Sequence, residues 1–356
     1  PSMRIVRDTV TYAANHLARF NPLNISGYHM SEAGATPLQE AAFTISTTRE
    51  YVRTIVAAGV DVDEFAPRLS FFFVSQADFF EEIAKFRAAR RIWARWMRDV
   101  YGAKTDKAQW LRFHTQTAGV SLTAQQPLNN VVRTAVEALA AVLGGTNSLH
   151  TNALDETLAL PTEASAEVAL RTQQVLMEET GVTNVADPLG GSWYVESLTD
   201  AVEAEAERVF DRIRALGERE PHAIGPMTSG ILRGIEDGWF MGEIADSAFR
   251  YQVALEKGDK KVVGVNAHLE SVSHELEILR VSHEVERAQV AALADRRAAR
   301  DQAGVDAALA AMVAATRTQD NLVPAMLDAA RAEATLGEIC GALREVWGGY
   351  REPARF

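Results

Sequence analysis

The stretch Asn24-Ile25-Ser26-Gly27-Tyr28-His29-Met30-Ser31-Glu32-Ala33-Gly34-Ala35 decides how the chain is read. A short strand runs into a histidine, then a glycine-containing loop, then, from Pro37, a long amphipathic helix. Three later stretches repeat the arrangement: Arg68-Leu69-Ser70-Phe71-Phe72-Phe73, Leu111-Arg112-Phe113-His114-Thr115-Gln116 and Ser148-Leu149-His150-Thr151-Asn152. Apolar spacing predicts strands at 24–29, 65–73, 110–116 and 147–151. It predicts helices at 4–20, 37–58, 77–101, 128–143 and 162–180, stopped by Asn21-Pro22, Gly59, Gly102 and Gly144-Gly145. Such alternation means a parallel sheet with crossover helices, and function in these folds collects at strand ends. Four units are half of an eight-stranded barrel and alone would expose two strand edges, which soluble proteins avoid. Either the sheet is open and doubly wound, or another polypeptide supplies the missing half.

Beyond this region, Val185 to Ser192 reads as a loop, with helices at 197–216, 228–235 and 240–256. Val262 to Asn266 reads as a short strand or extended closing segment, and 267–280 as a linker. Helices at 282–299, 303–316, 321–332 and 336–347 follow. The expected domains are 1–185, a half-barrel; 186–267, a helical extension; and 268–356, linker and C-terminal helices.

With 356 residues, 47% hydrophobic and 24% charged, the chain can bury a large core. Its net charge of −12 argues against a nucleic-acid partner. Cys340 is the one cysteine, which rules out an internal disulfide and fits a reducing cytoplasm. It lies in an amphipathic helix and is expected to be inert packing. No apolar run is long enough for a membrane span, and Pro1 already opens a helical pattern without a leader. A cytoplasmic protein with no membrane partner is expected.

Side chains alternate along strands, so Asn24, Ser26 and Tyr28 share a face, as do Arg68, Ser70 and Phe72, Arg112, His114 and Gln116, and Ser148, His150 and Asn152. Ile25, Leu69, Phe71, Phe73, Leu111, Phe113 and Leu149 take the other, helix-covered face. Barrel interiors are ordinarily aliphatic. A polar axis points to a hollow barrel around a long polar ligand; a self-satisfied polar network, or a register shifted by one residue, is the alternative.

His29, His114 and His150 fall at strand ends, where they could bind metal or hydrogen-bond a ligand carbonyl; no recognised metal-ligand spacing accompanies them. Arg68 reads as an anion clamp or as a partner of Glu64 or Glu40. Arg19 could reach an anionic ligand, and Glu156 could accept from ligand hydroxyls. Glu81, Glu82, Arg87, Arg90 and Arg91 read as a solvated helix face.

Several motifs resemble the large subunit of the adenosylcobalamin-dependent acyl-CoA mutases, the methylmalonyl-CoA mutase family. They are Ser26-Gly27-Tyr28-His29-Met30, Glu32-Ala33-Gly34-Ala35, Ala66-Pro67-Arg68-Leu69-Ser70-Phe71-Phe72 and His114-Thr115-Gln116-Thr117. Leu122-Thr123-Ala124-Gln125, Ser148-Leu149-His150-Thr151-Asn152, Asp155-Glu156, Asp187-Pro188-Leu189-Gly190-Gly191-Ser192 and Gly264-Val265-Asn266 extend the likeness through nearly the whole chain. The first half leans toward the family's 2-hydroxyisobutyryl-CoA branch, whereas Leu122 to Gln125 leans toward its methylmalonyl-CoA branch.

The resemblance implies an α/β fold: the second half, four strand–helix units, of a TIM (β/α)8 barrel, followed by a mostly helical C-terminal region. It implies radical carbon-skeleton isomerisation of an acyl-CoA threaded along the axis, with adenosylcobalamin capping one end. His29 and Tyr28 would be catalytic. Arg19, Asn21, Arg68 and Ser70 would hold CoA. Gln116 and Gly119 would meet the corrin, and Asn152 and Glu156 the adenosyl ribose. The family's first four strands lie upstream of the region matched by Pro1, and its Asp-x-His-x-x-Gly cobalamin signature is absent. The implied partners are a chain carrying those strands and a small cobalamin-binding subunit. A non-catalytic scaffold subunit and a metal-dependent barrel hydrolase are the rival readings.

Overall fold

The computed structural model describes residues 1–218, 225–270 and 276–351. Residues 271–275 of the expected linker lie outside them. In chain order the elements are α1 (Ser2–His16), β1 (Leu23–Ser26), α2 (Tyr28–Glu32), α3 (Pro37–Ala57), α4 (Val62–Phe65), β2 (Leu69–Ser75), α5 (Phe79–Asp99), α6 (Asp106–Gln109), β3 (Phe113–Thr117), α7 (Asn129–Leu143), β4 (Ser148–His150) and α8 (Glu163–Glu179). Then come α9 (Trp193–Glu218), α10 (Pro226–Glu236), α11 (Trp239–Lys257), α12 (His283–Ala299), α13 (Gln302–Ala315), α14 (Val323–Arg331) and α15 (Leu336–Trp347). Packing divides them into two units: one of Pro1–Pro22, Thr54–Val60 and the described residues of Arg280–Glu352, the other of Leu23–Arg53 and Asp61–Leu279.

The second unit holds a parallel sheet in the order β1-β2-β3-β4. Right-handed crossovers that always step to the next strand leave their helices on one face. A doubly wound sheet needs a reversal of strand order, and this one has none. Ile25, Leu69, Phe71, Phe73 and Phe113 are buried, whereas Ser26, Ser70, Phe72, His114 and Gln116 are half-buried and Asn24, Ser148 and His150 exposed. The alternation and the polar face are therefore as expected from the sequence.

The strand boundaries differ. β1 ends at Ser26, so Tyr28 and His29 open a helix instead of closing a strand. Residues 66–68 form a 3-10 turn around Pro67, so Arg68 precedes β2. Arg112 precedes β3, and its guanidinium bonds the carbonyls of Pro67 and Leu69 (the latter at 3.3 Å) instead of facing the axis. Asn152 follows β4. Val262 to Asn266 forms no strand, only an isolated bridge from Val263 to Ala267.

α5 is not a solvated face. Glu82 and Lys85 are fully buried. Arg87 pairs with Glu196 and Arg91 with Asp200 and Glu203, so the basic rungs of α5 meet the acidic rungs of α9. α9 also crosses α10 at two glycines. A Cβ on Gly230 would lie 1.7 Å from the Ile213 carbonyl oxygen, and one on Gly217 would lie 1.9 Å from that of Pro226.

In the first unit, α13, α14 and α15 enclose Val305, Met312, Ala329, Ile339 and Leu343. α1 joins them through Arg4, which donates to the carbonyls of Thr316 and Ala315, and through Asp8, which accepts from the Leu322 amide. α15 starts in a capping box of Thr335 and Glu338, to which Arg300 is salt-bridged. Cys340 is exposed on α15; its position falls on the outer side of the helix, so it is not packing. Among the described residues no helix is long and apolar enough to cross a membrane.

Replacing Gly230 with Ala should destabilise the chain by about 1–3 kcal/mol, because the added methyl meets backbone rather than a movable side chain. Thermal unfolding checks this, with Gly341→Ala, mid-helix where a Cβ meets nothing within 4 Å, as the comparison expected to stabilise by about 0.5–1 kcal/mol.

Candidate functional site

The site starts from an early departure. After Ser26 the chain leaves the sheet, with the Gly27 amide still donating to the Phe72 carbonyl at 2.8 Å. Only glycine fits there: a Cβ would fall 2.4 Å from Thr44 Oγ1 and 2.7 Å from Glu40 Cγ. The turn carries the Tyr28 ring onto Phe72, with centroids 5.0 Å apart. Gln116 Nε2 donates to the Tyr28 hydroxyl at 3.1 Å and to Asn152 Oδ1 at 2.7 Å. Asn152 is itself held by Thr117, through Oγ1 and the carbonyl, both at 2.9 Å. A hydrogen-bonded line thus runs from the loop after β1, across β3, to the loop after β4.

Glu32, on the last turn of α2, accepts from the Gly119 amide at 2.8 Å. Burial pushes its pKa up. Burial also pushes the Tyr28 phenol to about 12, with the charge of Glu32 adding, so Tyr28 is a neutral hydroxyl at any physiological pH. His114 Nδ1 shares a hydrogen bond with Ser148 Oγ at 2.7 Å, and its ring meets the Phe72 ring edge-on. Burial and, second, the neighbouring His150 hold its pKa below 6.5. The His29 ring is different: it is exposed and has no hydrogen bond to the described residues.

The structure therefore brings together Tyr28, Gln116 and Asn152, with Gly119 and Glu32 beside them and His29 next in the chain. Glu156 is exposed and bonds none of them, though its charge acts on Tyr28 and Glu32. Ser70 and Arg68 lie at the other end of β2, with Ser70 about 13 Å from Val74 at the usual strand rise. Ser70 Oγ donates to the Leu23 carbonyl at 3.4 Å. Arg19 and Asn21 are exposed and belong to the first unit. Among the described residues no group of three or more His, Cys, Asp or Glu could hold a metal ion.

Sequence reasoning missed what lies behind the sheet. Lys85 Nζ donates to Glu40 Oε2 at 2.7 Å and to the Val74 carbonyl at 2.8 Å, and pairs with Glu82. Glu40 Oε1 accepts from the Val74 amide at 2.7 Å. Burial raises both carboxyls against the pull of Lys85; the two carboxylates outweigh burial at Lys85 and keep its ammonium charged. Glu137, on α7, is also buried and accepts from Ser121 in the loop after β3; burial raises its pKa well above the ordinary value. One signal was available: Glu82, Lys85, Ala89, Ile92 and Trp96 follow helical spacing, which puts Lys85 on the buried stripe.

In parallel α/β sheets, functional groups collect at the strand ends, and here a polar line runs across them. Comparison then supplies the family. Residues 1–349 match the methylmalonyl-CoA mutase family, and the chain belongs to it. It is 47% identical over 358 residues to the 2-hydroxyisobutanoyl-CoA mutase large subunit of Aquincola tertiaricarbonis, covering 100% of this chain and 62% of that protein. It is 46% identical to the methylmalonyl-CoA mutase of Cereibacter sphaeroides (99% of this chain, 48% of that one) and 42% identical to that of Escherichia coli K12 (100% and 48%). The chain spans about half to three-fifths of the length of these curated relatives.

His114 should titrate below 6.5 in an NMR pH series, and His150→Ala should move its midpoint upward by removing the second cause. The sign for stability follows. Above 6.5 the group contributes nothing; as pH falls through 6.5 the unfolded chain takes the proton first, so stability drops until His114 itself protonates.

Proposed function

We propose that this chain is the part of an adenosylcobalamin-dependent acyl-CoA mutase that carries the second half of a (β/α)8 barrel. The reading rests on the line Tyr28–Gln116–Asn152 at the strand ends, with His29 next to Tyr28 in the chain and its imidazole exposed. Family membership points to an acyl-CoA of the methylmalonyl or 2-hydroxyisobutyryl type.

The roles follow from position. His29 donates a hydrogen bond to the thioester carbonyl, and Tyr28, a neutral phenol stacked on Phe72, packs against the reacting group. Ser70 and Arg68, at the far end of β2, suit the other end of a long ligand lying along the sheet; Arg19 and Asn21 are assigned to CoA by the family resemblance alone. An arginine there supplies a charge for phosphate.

The donor set at the strand ends fits a cofactor rich in amides and hydroxyls. Gln116 spends its amide nitrogen on Tyr28 and Asn152, which leaves its carbonyl oxygen as an acceptor. Gly119 is closed on one side by Glu32, which takes its amide, and Asn152 with Glu156 offers acceptors for ribose hydroxyls. Bound there, adenosylcobalamin supplies a readily cleaved cobalt–carbon bond and the radical chemistry that follows. This chain's part is to bind, orient and exclude water.

Two features support the partners. β1 and β4 are edges with no further strand beside them among the described residues, and their polar face is part exposed. A chain or region supplying the first four strands would cover both, and a cobalamin-binding subunit would close the strand-end side.

His29→Ala in the complete assembly should lower turnover by about 100- to 1000-fold, the usual loss for a hydrogen-bond donor to a reacting carbonyl. Calorimetry should show acyl-CoA affinity little changed. Undiminished turnover would remove His29 from the chemistry.

A further inference from the structure

Val74 lies two residues beyond Phe72 on β2, so its amide and carbonyl point to the same side as those of Phe72, toward β1. Phe72 finds the Gly27 amide there. Val74 finds no strand, because β1 has already turned away. Instead its amide donates to Glu40 Oε1 and its carbonyl accepts from Lys85 Nζ. The Glu40 side chain also lies directly against Gly27, within 2.7 Å of where a Cβ would be. His29 is near enough for its charged form to act on the Glu40 carboxyl.

We propose that the buried Glu40–Lys85 pair is a positioning device that replaces the missing end of β1 and holds the Gly27–His29 turn over the sheet. Glu40 joins the two parts the site needs in register: β2, which carries Phe72, and the turn that carries Tyr28 and His29. Glu40 and Lys85 touch no substrate; they act through the turn. The inference rests on the mutase reading for its kinetic consequence, and on geometry alone for its mechanical one.

Glu82 supplies the comparison. It pairs with the same ammonium from one turn earlier on α5, but makes no hydrogen bond to Val74 among the described residues. Glu40→Gln and Glu82→Gln, each in the complete assembly, separate positioning from charge balance. Glu40→Gln should lower kcat by about 100-fold, as a roughly ångström-scale misplacement does, with KM for acyl-CoA changed by less than about threefold. Glu82→Gln should leave kcat within about threefold of the parent.

Amide exchange gives a readout independent of turnover. Exchange at Val74 and Gly27–His29 should rise about tenfold in Glu40→Gln and not in Glu82→Gln, as loss of a charge-assisted hydrogen bond requires. Glu40→Asp, which keeps the charge but draws it back from Val74, should give the same exchange pattern if Glu40→Gln does not fold. Equal effects of the Glu40 and Glu82 substitutions, or unchanged exchange at the turn, would overturn the proposal. A parent assembly without mutase turnover would sink the functional reading, while the exchange comparison would still decide the clamp.

Discussion

A parallel sheet cannot leave backbone donors and acceptors unpaired in its interior, and here one strand stops short of its neighbour. The departure of β1 at Gly27 frees the turn that bears Tyr28 and His29, but it strands the amide and carbonyl of Val74. Glu40 and Lys85 meet that demand from α3 and α5. Everything distinctive at the strand ends follows from this exchange. The glycine is required because Glu40 lies against it, Tyr28 reaches Phe72 and Gln116 because the chain has turned, and α2 brings Glu32 to Gly119.

The exchange carries a cost. Burying an ion costs several kcal/mol unless it is paired and hydrogen-bonded, and an apolar replacement is often no less stable. Glu40 meets those terms, with a donor at each oxygen. Glu82 meets them less well, sharing an ammonium already committed to Glu40 and the Val74 carbonyl. Glu137 stands with a Ser121 hydroxyl in place of a cation. A chain under selection for stability alone has no reason to collect three acids behind one sheet. Ordered loops at the strand ends are such a reason, since each of these acids touches the end of β2 or the loop after β3, directly or through Lys85.

Much of this was legible in the residues. Period-two alternation in Leu69-Ser70-Phe71-Phe72-Phe73 and in Phe113-His114-Thr115-Gln116 set the two faces correctly, because register is strongly specified when one face is buried. The long helices were legible from apolar spacing and terminal glycines. What was not legible was short or three-dimensional. A five-residue helix, Tyr28 to Glu32, has too few positions to show a period, so its first residues read as the end of a strand. Arg112 looked like an axial cation because it alternates correctly, but β3 begins one residue later and two carbonyls at the start of β2 claim it. Glu82 was read with its charged neighbours as solvated, because charge outweighed helical position in that reading, and Lys85 was not singled out at all. Motif likeness singled out Gln116, Gly119 and Asn152; only the coordinates show that one glutamine amide joins Tyr28 to Asn152.

The polar face is therefore not simply a lining that waits for a ligand. Part of it is spent internally: His114 on Ser148, Ser70 on the Leu23 carbonyl, Gln116 on Tyr28 and Asn152. These bonds hold the side chains in place without ligand, which lowers the ordering cost of binding. Other groups remain uncommitted. The His29 ring has no hydrogen bond among the described residues, and it sits on the segment after β1 whose backbone has left the sheet. Asn24, Ser26 and His150 on the polar face likewise make no side-chain hydrogen bond among the described residues, but they lie on the strands, whereas His29 lies on the turn. The buried ion pair, the glycine and the stacked tyrosine together give the His29 ring a fixed base while leaving the ring itself free to bind.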